Sequence, residues 1–155
     1  RLDGLPVPIG GDLARGRTAR SLASLLTKFE KTRLIFVAPP ALAMGKDVKE
    51  YLYEKGVPFS EEPLDSALPE SDVVYWTRIQ KERGDLDDWA ATEHFTIGLR
   101  ELGLMKTEAI LMHPLPRNAE IPTAVDYDPR AAYFRQAGNG MFVRMALLEW
   151  VLKAS

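Results

Sequence analysis

Short apolar runs separated by segments of helical spacing constrain this chain more than any other feature. Runs of strand length occur at Val7 to Ile9, Leu34 to Ala38, Val73 to Trp76 and Ala109 to Met112, each followed by a turn signal. Between them, Thr18 to Phe29 carries Ala19, Leu22, Leu25, Leu26 and Phe29 at three- and four-residue steps, which predicts a helix with one apolar face. Asp47 to Lys55 reads as a second helix, with Asp47 as N-cap and Gly56 as the C-terminal stop. Leu64 to Leu68 predicts a further short turn. Asn139 is expected to cap a final, largely buried helix running through Met141, Met145, Leu148 and Leu152.

Alternating strands and helices imply a mainly parallel sheet, because parallel neighbours need crossover connections and helices supply them. The predicted class is therefore α/β, a doubly wound, Rossmann-like sheet with helices on both faces. At 155 residues and 46% apolar content, one domain with one substantial interior is expected. Two regions resist this pattern. Pro6, Pro8 and Gly10 interrupt the first run, which predicts an edge or irregular strand because proline donates no ladder hydrogen bond. Glu82 to Leu104 shows turns without clear periodicity.

The charges, 20 basic and 22 acidic, nearly balance without a long like-charge run, so neither a nucleic-acid footprint nor a basic membrane-binding face is expected. No apolar run approaches the roughly 20 residues that span a bilayer, and the first residues lack a signal-peptide layout. The chain contains no cysteine, which excludes disulfides and thiol nucleophiles and leads to the expectation of a cytoplasmic protein. Arg1 to Leu5 reads like a polypeptide already under way, and a processed start fits equally.

In open α/β sheets ligands settle beyond the carboxyl ends of the strands. After the first run, Gly11 to Thr18 delivers Arg17 and Thr18 to a helix start, where free N–H groups and a forked guanidinium suit an anion. A solvated surface arginine is the plainer alternative. The third run leads into Thr77-Arg78-Ile79-Gln80-Lys81-Glu82-Arg83, whose donors either converge on the same crevice or pair internally on a solvated loop. The fourth leads into His113-Pro114-Leu115-Pro116-Arg117, where two prolines stiffen the backbone and leave carbonyls without matching N–H groups. That turn either holds acceptors against a ligand amide or simply ends a strand, with His113 a hydrogen-bonded structural histidine. His94 and His113 are the only histidines, and no close carboxylate pair completes a set, so no metal site is expected. Nucleophile elbow, Walker loop, dinucleotide fingerprint and His-Glu-x-x-His pair are all absent. What remains suits a receptor for a small polyanion, acting by positioning and charge stabilisation.

These segments, together with Ser21-Leu22 and Tyr133-Phe134-Arg135-Gln136-Ala137-Gly138-Asn139-Gly140, resemble in order and spacing the carboxyl-terminal, aspartate-binding domain of the aspartate carbamoyltransferase family, over nearly all of residues 1–155. The resemblance implies that Arg17 and Arg78 each grip a carboxylate of L-aspartate and that Gln80 shapes the pocket. It implies that Leu115 and Pro116 contact the carbamoyl group through their backbone, with Thr18 nearby. Lys81 and Arg83 would belong to a mobile loop, Glu82 to Trp89 closing over the substrates, while His113 and Arg117 support the site. No cofactor is implied. The Ser-Thr-Arg-Thr-Arg phosphate-binding segment of the family's amino-terminal domain does not occur here, so carbamoyl phosphate would bind through a domain absent from this chain, and the chain is expected to be inactive alone. The resemblance further implies a homotrimer for the full-length enzyme. Ala14-Arg15 and Ala19-Arg20 depart from the family pattern around Arg17.

Two rivals remain. An ornithine carbamoyltransferase fragment is disfavoured because that family has a cysteine in the loop matching His113 to Arg117, and a cationic side chain would sit poorly between two arginines. A noncatalytic module binding an amino acid or a partner is favoured by the missing phosphate segment and disfavoured by the retained Arg78 to Arg83 and His113 to Arg117 stretches.

Overall fold

The computed structural model describes residues 3–80 and 95–153. Within them, β1 (Pro6–Gly10), β2 (Arg33–Val37), β3 (Phe59–Glu61), β4 (Val73–Trp76) and β5 (Ile110–Met112) form one sheet in the order β3-β2-β1-β4-β5. Every pairing between these strands is parallel. The helices are α1 (Arg17–Leu26), α2 (Lys46–Glu54), α3 (Leu64–Ala67), α4 (Leu99–Leu104) and α5 (Tyr133–Lys153), with 3-10 turns at Pro40–Leu42 and Thr123–Tyr127.

The two-residue period of a strand divides the interior in two. On β2, Leu34 and Phe36 join Val7, Ile9 and Tyr75 under α1 (Ala19, Ala23, Leu26) and α2 (Val48, Leu52). Ile35 and Val37 point the other way, joining Val74, Trp76 and Leu111 against Ala67 of α3, Leu102 of α4 and Tyr133 of α5. The doubly wound expectation holds. Each fully buried aliphatic or aromatic side chain contributes about 1.5–3 kcal/mol, so a sheet covered on both faces is the main source of stability.

β1 is not the edge strand that its prolines suggest; it lies at the centre. The physical reason is directional. Gly11 N–H donates to the Val37 carbonyl of β2 at 3.2 Å, and alternation along a strand turns Val7 and Ile9 the same way, so Pro6 and Pro8 lack their N–H on the side of β4. The β1–β4 ladder consists of Ile9 with Tyr75 and Gly10 with Trp76, beyond both prolines. The missing N–H groups therefore fall on residues that are not themselves paired with β4.

The helices also differ in detail. α1 stops at Leu26 and the chain tightens, with Lys28 N–H bonded to Leu25 O and Phe29 N–H to Leu26 O. Gly45 rather than Asp47 caps α2; Asp47 sits in its first turn and accepts a hydrogen bond from Arg20 of α1. Gly56 has φ +66°, the left-handed stop expected of it. α4 lies within the stretch that lacked periodicity, and Glu101 holds its start by accepting the Gly98 N–H at 2.9 Å.

The largest correction concerns α5, which begins at Tyr133, not Asn139, and is not largely buried. Tyr133 is enclosed, but from Met141 to Leu152 the large apolar side chains are exposed, between 51% at Met141 and 75% at Leu152. Twenty-one residues of helix extend about 31 Å, whereas strands of five residues cover roughly 17 Å, so α5 outruns the sheet that could bury it. No helix among the described residues is long and apolar enough to cross a membrane.

Candidate active-site crevice

Strand order reverses between β1 and β4, because the chain winds outward through β2 and β3 before returning to the other side. At such a switch point the loops after adjacent strands diverge and leave a crevice. An open cavity of about 230 Å³ lies there, lined by Arg15 to Thr18 after β1, Thr77, Arg78 and Gln80 after β4, and His113 to Pro116 after β5. Its size suits a small metabolite better than a nucleotide, and its charged lining is cationic.

Two close approaches shape the floor. A side chain at Gly10 would lie 2.0 Å from the Trp76 ring, and one at Gly11, whose φ is +98°, would lie 2.2 Å from the Thr77 carbonyl oxygen. Only glycine allows the β1 turn to pass so near β4. Thr77 is buried and bonds Gly10 O twice, through its N–H at 2.8 Å and its hydroxyl at 2.9 Å. Asp12, fully buried, accepts the Arg15 N–H at 3.0 Å and the Gln80 N–H at 3.3 Å, and its carboxylate lies 3.9 Å from the Arg15 guanidinium. This carboxylate binds the first loop to the second.

Arg17 and Thr18 open α1, whose N-cap, Gly16, supplies no side-chain acceptor to the first N–H groups. A side chain at Gly16 would sit 2.4 Å from Asp12 O, so the turn that aims α1 at the cavity also requires glycine. Thr18 hydrogen-bonds with the Tyr75 hydroxyl; burial pushes that phenol above its ordinary range and the Thr18 bond draws it partly back. Arg20, in the stretch that departs from the family pattern, turns to Asp47.

The third loop is held by its histidine. His113 is buried; Nδ1 accepts the Leu115 N–H at 2.9 Å, and Nε2 lies 3.1 Å from Glu120 Oε1. Since Nδ1 accepts, Nε2 carries the proton and donates to Glu120. Burial pushes the Glu120 carboxyl up, but the His113 bond and the N–H groups of Asn118 and Glu120 outweigh it and hold the group below its ordinary range. The His113 N–H donates to Gln136 Oε1 of α5 at 3.0 Å. Leu115 has φ +51° and is followed by a cis peptide to Pro116. Arg117 turns away from the cavity, donating to Ile121 O and to Asp126, both at 2.5 Å, and lying over the Tyr133 ring. Burial and then Asp126, which accepts its hydroxyl hydrogen bond, push the Tyr133 phenol far above its ordinary range.

Arg17, Thr18, Arg78, Gln80, His113, Leu115 and Pro116 are thus brought together, while Arg117 buttresses the loop from behind. Lys81, Arg83 and the Glu82 to Trp89 stretch lie outside the described residues. Asp12, Glu120 and Gln136 were not anticipated as parts of the site. Among the described residues no group of three His, Asp or Glu side chains converges as a metal-ligand set.

Comparison with known proteins accords with this geometry. The family model "Aspartate/ornithine carbamoyltransferase, Asp/Orn binding domain" matches residues 3–151. The chain is 51% identical over 156 residues to the chloroplastic aspartate carbamoyltransferase of Arabidopsis thaliana and 49% identical to aspartate carbamoyltransferase 3, chloroplastic, of Pisum sativum; each alignment covers 98% of this chain and 40% of the relative. The chain therefore spans about two fifths of the length of the curated relatives it matches. The catalytic subunit of M. jannaschii aspartate transcarbamoylase superposes with a TM-score of 0.93 at 39% identity, over 100% of this chain and 52% of that one. The Trypanosoma cruzi aspartate transcarbamoylase in complex with aspartate and phosphate superposes with a TM-score of 0.83 at 44% identity, over 96% of this chain and 47% of that one. The cytoplasmic expectation is overturned by the plant relatives, which are chloroplastic; a sequence without cysteine carries no redox mark of its compartment. On the strength of a family model covering nearly its whole length and of relatives near half identity, the chain belongs to the aspartate/ornithine carbamoyltransferase family and corresponds to its Asp/Orn-binding domain.

Proposed function

We propose that residues 1–155 form the L-aspartate-binding half of an aspartate carbamoyltransferase, which joins carbamoyl phosphate to L-aspartate to give N-carbamoyl-L-aspartate and phosphate in pyrimidine biosynthesis. The observation that carries the reading is one cavity lined by both Arg17 and Arg78 on loops from opposite sides of the switch point. A four-carbon dicarboxylate presents two anions at opposite ends, and guanidinium groups on separate loops receive both. Gln80 shapes the pocket wall. Carbonyls of Leu115 and Pro116, with Thr18, orient the carbamoyl group so that its carbon faces the substrate amine. No cysteine or other covalent nucleophile is required, because the amine of aspartate attacks directly and the enzyme contributes position and charge.

Carbamoyl phosphate would bind through the amino-terminal domain that relatives of greater length have room for, in a homotrimer. Alone, the chain is then a receptor without transferase turnover. Two dicarboxylate-gripping arginines favour this reading over ornithine, and the aspartate bound in the Trypanosoma cruzi complex agrees with it.

The test is an amide-shift titration with succinate or L-aspartate. The wild-type chain should respond around Arg17, Arg78 and Gln80, and Arg78→Ala should weaken binding by about 30- to 100-fold, the loss of a charge-assisted pair, while its remaining spectrum is unchanged. An unchanged titration in that variant would sink the assignment. Turnover should appear only when the chain is joined to a carbamoyl-phosphate domain; robust transfer by the chain alone would contradict the division of labour.

A further inference from the structure

We propose that His113 is a positioning residue: held as the Nε2–H tautomer by Glu120, it keeps Leu115 in a left-handed conformation that turns the Leu115 and Pro116 carbonyls toward the cavity. The inference deepens the proposed function, since it rests on those carbonyls being the carbamoyl contacts.

Leu115 is the constrained point of this loop. Its φ of +51° is a region that leucine rarely adopts, because Cβ crowds the backbone there, so something must hold it. Among the described residues the Leu115 N–H donates to one side-chain acceptor, His113 Nδ1, at 2.9 Å. That nitrogen accepts only while it carries no proton, and the other ring nitrogen secures this by donating to Glu120 Oε1 at 3.1 Å. Glu120 is itself fixed, since the same oxygen accepts the Asn118 N–H at 2.9 Å and its carbonyl accepts the Ile97 N–H at 2.9 Å. From the other side, Gln136 of α5 anchors the His113 backbone. His113 lines the cavity yet is 1% exposed, with both ring nitrogens engaged within the protein. It is therefore arranged to shape the backbone around a ligand and not to exchange protons with one. Such a chain of support around a site typically changes activity by tens of fold when cut.

The two amides closest to histidine in shape separate this role from simple packing. Asparagine places its oxygen near Nδ1 and can still accept from Leu115; glutamine reaches toward Glu120 and leaves the Leu115 N–H without its acceptor. In the chain itself, imidazole nitrogen shifts should report the Nε2–H tautomer in the wild type, and the Leu115 amide should be protected from exchange in wild type and His113→Asn but not in His113→Gln. In the enzyme formed with the carbamoyl-phosphate domain, His113→Gln should lower kcat by roughly 10- to 100-fold with KM for aspartate changed less than about threefold, whereas His113→Asn should retain most of kcat. Should His113→Gln not fold, Glu120→Ala decides the same question: it should populate the Nδ1–H tautomer and lower kcat in the same sense. Retained Leu115 protection in His113→Gln, equal losses in both amide variants, or an unaltered tautomer and kcat in Glu120→Ala would overturn the proposal. A wild-type assembly that fails to transfer the carbamoyl group would instead strike the functional reading, leaving the exchange data to judge His113 alone.

Discussion

The crevice at the switch point and the far half of α5 are opposites in how their side chains are satisfied. In the crevice, Asp12, Thr77, His113 and Glu120 are nearly or fully buried, and each is hydrogen-bonded within the protein. Along α5 from Met141 to Leu152, large apolar groups are more than half exposed. The first region is internally complete as a scaffold, the second is not. The difference teaches that binding geometry and overall burial are built from different parts: short-range loop contacts shape the receptor, while the apolar surface of α5 is left uncovered by the other described elements.

That contrast can be broken most directly by matched truncations. Trp76→Ala, at a fully buried ring under the crevice, should destabilise the chain by about 3–5 kcal/mol in denaturant unfolding, whereas Leu148→Ala, 65% exposed, should change it by no more than about 0.5 kcal/mol. Equal losses would mean that α5 packs far more than its exposure indicates. A smaller but sharper effect is expected at Gly11→Ala, where the added carbon meets Thr77 O and φ is +98°: about 2–3 kcal/mol, accompanied by weakened dicarboxylate binding. Tolerance of alanine there would show that the β1 and β4 loops are not tightly apposed. The smallest effect is acid sensitivity through Glu120. Its carboxyl is held below the ordinary value of 4.5 in the folded chain, so it contributes stability at higher pH that is lost as pH falls below about 4.5 toward the folded value. Glu120→Ala should flatten that part of the stability–pH curve, and a parallel curve would remove Glu120 from the acid response.

Much of the fold was legible because buried strands announce themselves as apolar runs. β2, β4 and β5 appear within a residue or so of their expected positions, and Gly56 stops α2 as its chemistry requires. β3 was silent, since Phe59-Ser60-Glu61 offers one apolar residue at a sheet edge. The central place of β1 was hidden by a rule that treats proline as a breaker; which neighbour loses the N–H is a question of register, invisible along the chain. The apolar content of α5 was legible, but its exposure depends on length relative to the sheet. In the crevice, Arg17, Arg78, Gln80, Leu115 and Pro116 could be picked out because donors and prolines follow strand ends. Asp12 and Glu120 could not: Asp12 finds Gln80 sixty-eight residues away, and no local pattern marks Glu120 as the partner of His113. The sequence signal that came nearest was the carboxylate directly after Gly10-Gly11.

The proline-bearing β1 has one mechanical outcome. With Pro6 and Pro8 unable to donate toward β4, the two halves of the sheet are fastened chiefly at the Ile9–Tyr75 and Gly10–Trp76 rungs and the paired Thr77 bonds to Gly10. Fastening concentrated at one end of the seam sets the spacing of the loops bearing Arg17 and Arg78 at the very place where the halves are joined.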